Sequence, residues 1–160
     1  MIDIEVEHPA WVTTLPDVEA LVRAAALAAL YGRLPAPDDE AAGVTILLAD
    51  DAAVLELNGQ FRGQAAATNV LSFPAAANPE GHLGDIALAF ETCLEEAGVQ
   101  GKSLCHHLQH LTVHGVLHLL GHDHIGDDAA DAMEDLERVI LAGLGVPDPY
   151  AAGDGDHDRR

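Results

Sequence analysis

Apolar and polar residues alternate through IDIEVE, residues 2–7, the two-residue period of a strand with one buried face. The spacing then changes. In LPDVEALVRAAALAALYG the positions of Leu15, Val18, Leu21, Val22 and Leu27 follow a helix, with Thr14 and Asp17 placed to cap its start. The β-branched run GVTILLAD, residues 43–50, predicts a buried strand, and a short helix from Asp51 to about Gly59 follows, with Asp50 or Asp51 at its N-cap. A polar loop, FRGQAAATN, leads into VLSFP, a short strand that Pro74 ends. AAANPEGHLG turns the chain into the strand DIALAF, and ETCLEEAG makes a brief helix.

From residue 103 to 120 the apolar set Leu104, Leu108, Leu111, Val116, Leu117 and Leu120 describes a long helix apolar on nearly every side, which marks it as central and buried. Gly121 is placed to end it, and Asp127 or Asp128 to cap a last helix, DAADAMEDLERVILAGLG. The expected fold class is α+β: a small mixed sheet of about four strands packed with helices, the histidine-bearing helix lying against it. Residues 1–150 form one domain. The tail, residues 151–160, has too little apolar content to pack and is expected to be disordered.

Charge narrows the partners. Seven Lys and Arg against 27 Asp and Glu give a formal charge of −20, which repels nucleic acid and anionic membranes at long range. An anionic ligand must therefore be recognised locally. Cys93 and Cys105 show no pairing pattern and read as reduced thiols. The start MIDIEVEHPAW lacks the basic patch and apolar run of a signal peptide, and no apolar run approaches the ~18 residues of a membrane span, so a cytoplasmic protein is expected.

The candidate chemistry lies in VHGVLHLLGHDH, residues 113–124. Residues four apart on a helix share a face, so His114 and His118 can clamp one divalent ion. A third ligand must return from the loop after Gly121. His124 is so placed, His122 could replace it by spacing, and Asp123 could ligate or accept from an imidazole. His110 and His114 have the same spacing, but a residue returning after Gly121 arrives beside His118, and His110 lies roughly 12 Å from His118 along the axis at ~1.5 Å per residue. A histidine is usually a surface residue or a satisfied core one, and for His106, His107 and His110 a solvated role, or one supporting a ligand without touching the ion, is the better reading. Unpaired imidazoles at a buried helix end would be costly, which favours metal for the clamp.

Three neutral histidines leave a coordination position open, as in hydrolytic centres, and neither cysteine is spaced to close it. Where the HExxH pattern of zinc peptidases has a catalytic glutamate, this chain has Gly115, which argues against a protease. Asp85 and Asp123 are the nearest candidates for a base by motif, although an aspartate before a strand or in a glycine turn commonly caps backbone.

These stretches resemble the YbeY endoribonucleases, bacterial metal-dependent hydrolases. The resemblance runs through LNGQFRG, TNVLSFP, LGDIALAFE, VHGVLHLLGHDH and MEDLERVILAGLGVPDPY, from about Gly43 to Tyr150. It implies a three-histidine site, carried onto His114, His118 and His124, holding one zinc ion. It further implies action on single-stranded RNA, in maturation of ribosomal RNA at the small-subunit 3′ end and in ribosome quality control, with Arg62 of the FRG loop facing the site. Two positions depart from the family pattern: His122 stands where tyrosine is common, and Gln64 where lysine is common.

The reading is a single-domain zinc-dependent endoribonuclease with Arg62 and His114 as catalytic residues. The alternative is a non-enzymatic ribosome assembly factor whose metal braces the fold and whose acidic surface meets a small-subunit ribosomal protein or a ribosome-associated GTPase.

Overall fold

The computed structural model describes residues 2–31, 43–62, 68–122 and 126–150, the side chains of Phe61 and Arg62 excepted. The expected tail, residues 151–160, lies outside the described residues. Four strands, β1 (Ile2–Val6), β2 (Gly43–Ala49), β3 (Val70–Pro74) and β4 (His82–Ala89), form one sheet in the order β1-β2-β4-β3. The pairs β1–β2 and β2–β4 are parallel, and β3 runs antiparallel to β4. Mixed pairing, with the helices distributed over both faces, makes this the expected α+β architecture.

The alternation of side chains sorts the helices. Val44, Ile46, Leu48, Ile86 and Leu88 point to one face and join a core with the apolar sides of α2 (Val18–Tyr31), α5 (Leu104–Leu119) and α6 (Asp127–Gly143). Ala49, Leu71, Ala87 and Ala89 point the other way and bury Val54 of α3 (Asp51–Arg62). No described helix is long and apolar enough to cross a membrane.

One additional helix and the cap of α6 differ from the sequence expectation, while Asp50 meets it. A five-residue helix, α1 (Ala10–Thr14), precedes α2, held by Trp11, whose indole N–H donates to the Ala49 carbonyl at 2.9 Å while its ring meets Phe90 edge to face. Asp50 caps α3, accepting from the Ala53 amide at 2.8 Å. Asp51 serves another helix: α4 (Phe90–Gln100) begins after Ala89, which has no capping oxygen, and the Asp51 carboxylate accepts from the Thr92 amide and hydroxyl at 2.9 and 2.8 Å. Glu91 accepts from the Asp51 amide in return. At α6, neither Asp127 nor Asp128 is the cap. Gly126 holds that position without a side-chain bond, and both aspartates lie in the first turn, where the helix dipole favours them.

α5 reaches the sheet closely because glycine faces glycine-sized gaps. A Cβ on Gly115 would lie 3.1 Å from Ile86 Cδ1 and 3.3 Å from Ser72 Oγ, and one on Gly84 would lie 2.8 Å from Leu119 Cδ2. Ser103 caps the start of α5 by accepting from the His106 amide. Gly121 ends it at φ 102°, donating to the His118 carbonyl while the His122 amide reaches back to Leu117, the paired bonds of a left-handed C-terminal cap. The expected stop at Gly121 is therefore realised, and it fixes where His118 stands relative to the loop.

Candidate metal centre

Packing decides which way the histidines of α5 point. With Gly115 pressed on β3 and β4, the neighbouring His114 turns away from the sheet toward α6, and His118 follows one turn later. Their Nε2 atoms face each other at 3.1 Å. Two imidazoles bound at ~2.0–2.1 Å to a tetrahedral ion would hold these atoms about 3.3 Å apart, so a small shift admits an ion between them. Without an ion the pair can share one proton.

The other side of His114 is occupied. Its Nδ1 lies 2.7 Å from Oε2 of Glu137, a residue of α6 with no solvent exposure. Oε1 of the same carboxylate takes the Nε2 of His110 at 2.9 Å and the hydroxyl of Tyr150. Burial alone would raise Glu137, but hydrogen bonds from His110 and His114 outweigh it and hold the carboxyl down at about 2. An ionised carboxylate can only accept, so Nδ1 of His114 carries the proton and, in the neutral ring, its Nε2 presents a lone pair. Burial lowers His110 against the pull of Glu137. Burial, with the Glu137 charge beside it, raises Tyr150 and keeps it a donor.

His110, His114 and Glu137 also form a group whose donor atoms all lie within 4.8 Å of one another and could hold a metal ion. Two geometries thus share His114. In the second, both carboxylate oxygens already accept at hydrogen-bond distance, and an ion would have to displace those bonds. The His114–His118 pair would give up only the bond between its own two Nε2 atoms, and nitrogen donors suit zinc.

The remaining predicted residues fall as follows. Arg62 ends α3, with its side chain outside the described residues, and His124 and Asp123 also lie outside them. His122 is described and exposed. Asp85 lies between Gly84 and Ile86 on β4, so its side chain faces away from α5 and pairs with His82 at 2.9 Å. It cannot serve the histidine pair as a base. His107 is buried and bonds to Glu96 at 2.9 Å, and Glu96 in turn accepts from Asn69 at the start of β3. His106 stands on the first turn of α5, away from the pair.

Sequence similarity places this geometry. The family model described as endoribonuclease YbeY matches residues 14–145. The chain belongs to the YbeY endoribonuclease family. It is 50% identical over 154 residues to endoribonuclease YbeY of Azorhizobium caulinodans, covering 94% of this chain and 96% of that one. With endoribonuclease YbeY of Paramagnetospirillum magneticum it shares 47% over 158 residues, 93% and 94% of the two chains. The solution structure of TM1509 from Thermotoga maritima superposes over the full length of both chains with a TM-score of 0.51 at 23% identity, a likeness of fold. Family similarity thus begins well before Gly43, where the recognisable motifs start.

Glu137 and Tyr150 escaped the sequence reading even though both lie within family motifs. A carboxylate on a helix ordinarily faces water. The available signal was positional: Met133, Ile140 and Leu141, all buried, bracket Glu137 at helical spacing and place it on the apolar stripe of α6.

Proposed function

We propose that this chain is a zinc-dependent endoribonuclease that cuts single-stranded RNA, with His114, His118 and His124 as ligands of one ion. The observation that carries the reading is the facing Nε2 pair of His114 and His118 at 3.1 Å, with the His114 tautomer set by Glu137, in a chain of the YbeY family. When bound, zinc supplies Lewis-acid polarisation of a phosphoryl oxygen and acidification of water.

The protein's own residues supply the rest. Gly115 keeps α5 close to the sheet and leaves no room for the carboxylate that peptide hydrolysis by an HExxH site uses. Arg62 offers a planar fork of donors for the charge that builds on phosphate oxygens, and it does so locally, in a chain whose net charge of −20 repels RNA at a distance. The substrate that fits is ribosomal RNA near the small-subunit 3′ end, met in the cytoplasm with help from a small-subunit ribosomal protein or a ribosome-associated GTPase.

One sample tests the proposal. Metal analysis of the purified protein should give about one equivalent of zinc, and the same preparation should cut a single-stranded RNA and leave casein-like peptides intact. Robust chelator-sensitive proteolysis, or a metal-loaded protein without action on RNA, would overturn it. The chemistry of the product ends tells whether water or a ribose hydroxyl attacks.

A further inference from the structure

The segment after α6 is folded back and tied at several points. The Val146 amide donates to the Leu141 carbonyl at 2.9 Å, and the Lys102 amine donates to the Pro149 carbonyl at 3.2 Å. Asp148 accepts from Arg138 Nε at 3.2 Å and from the Tyr150 amide at 2.8 Å, while the Arg138 guanidinium lies 5.3 Å from the centre of the Tyr150 ring. These ties bring the Tyr150 hydroxyl to Oε1 of Glu137, where it joins His110. The opposite oxygen holds Nδ1 of His114.

We propose that Glu137 and Tyr150 are positioning residues for the metal centre, the carboxylate fixing the ring and tautomer of His114 and the folded-back segment fixing the carboxylate. The proposal rests on the reading of His114 and His118 as ligands. The bonds on the carboxylate run one way: the hydroxyl and the His110 ring N–H, which also lies 3.1 Å from that hydroxyl, donate to one oxygen, and the His114 ring N–H donates to the other. A glutamine at 137 would present one oxygen and one NH2 group, so at least one of these donors would face another donor. A phenylalanine at 150 would remove a single donor and leave the ring that Arg138 covers.

The test uses the full chain, stripped and reloaded with zinc, and compares Glu137→Gln, Tyr150→Phe and His118→Ala. Zinc affinity is read by competition with a chromophoric chelator, stoichiometry at saturation, and the His114 ring N–H by proton–nitrogen NMR. Glu137→Gln should weaken zinc roughly ten- to a hundredfold while still binding one equivalent at saturation. Tyr150→Phe should weaken it several-fold, and both should move the His114 N–H resonance. Wild-type affinity in either variant overturns the assignment of that residue. If Glu137→Gln cannot take up zinc at saturation while His118→Ala can, Glu137 is a ligand and the proposal is wrong. Wild-type affinity in His118→Ala would instead bring down the ligand reading itself, and this inference with it. Should circular dichroism show Glu137→Gln unfolded, Tyr150→Phe decides, since it removes one hydroxyl and keeps the packing.

Discussion

Gly115 of α5 lies so close to Ile86 of β4 that a Cβ on the glycine would stand 3.1 Å from Cδ1 and 3.2 Å from Cγ2 of the isoleucine. The position that carries the base in HExxH peptidases is here a packing contact. Gly115→Glu should therefore give no peptidase. It should reduce unfolding free energy by about 3 kcal/mol or more, because it overpacks the interface and buries an unpaired carboxylate. Denaturant unfolding measures this. A stable Gly115→Glu protein would show that α5 can lift from the sheet at little cost.

Metal stoichiometry separates the histidines. His118→Ala should remove about one equivalent of bound metal, and His106→Ala should leave it in place, since His106 stands on the first turn of α5. Equal loss in both would mean the wrong residues were chosen. Of the two loop residues, His124→Ala should lose metal and His122→Ala should keep it.

Arg62→Ala should keep the fold and the metal and slow RNA cleavage by roughly a hundredfold or more, the scale of losing one charged donor to a transition state. Arg62→Lys should recover only part, because a point charge lacks the planar fork. Cleavage at the wild-type rate by a folded, metallated Arg62→Ala protein would remove this residue from the site.

Asp51 belongs to α3 and caps α4, so its loss should be felt across both helices. Asp51→Ala should cost about 1–2 kcal/mol, and Asp51→Asn less, since an amide oxygen can still accept from the Thr92 amide. Equilibrium unfolding checks this. An Asp51→Ala protein as stable as the wild type would make the contact incidental.

The two thiols should differ in reactivity. Burial, reinforced by the charges of Glu96 and Asp51, pushes the Cys93 thiol far above its ordinary value of 9.0, while Cys105 is raised chiefly by burial and remains partly accessible. A thiol reagent at neutral pH should modify Cys105 slowly and Cys93 only after unfolding. A raised folded value means that stability is fully present below pH 9 and falls as pH rises beyond it, because the unfolded thiol ionises first. Cys93→Ala should flatten that fall.

Much of the fold could be read from local pattern because burial wrote it there. β2 is a β-branched run that lies inside the sheet, and the helix carrying His114 and His118 is apolar on nearly every side because it touches sheet and helices alike. α1 left almost no trace, since its five residues contribute a single fully buried side chain, Trp11. The cap of α4 could not be read and that of α6 differs, because capping is not always local: Asp51 reaches α4 from 41 residues away, and Gly126 offers α6 no side chain. Spacing along one helix put His114 and His118 side by side, as their facing rings are. Packing of α6 and the segment after it on α5 brings Glu137 to His114 and His110, and Tyr150 to Glu137, and although spacing marks Glu137 as buried it does not say what that residue meets.

The strand order carries a consequence for the growing chain. Because β2 takes β4 as its neighbour, the middle of the sheet cannot close until α3, β3 and the turn after Pro74 have all been made, and α5 has no floor to lie on before then. His114 and His118 emerge next, followed only later by Glu137 and, at the end of the described chain, Tyr150. During synthesis the histidine pair therefore exists before anything steadies it. A chain stopped between residues 122 and 137 would own both imidazoles and none of the carboxylate that holds Nδ1 of His114, so the orientation of that ring is settled only once Glu137 and Tyr150 have been made.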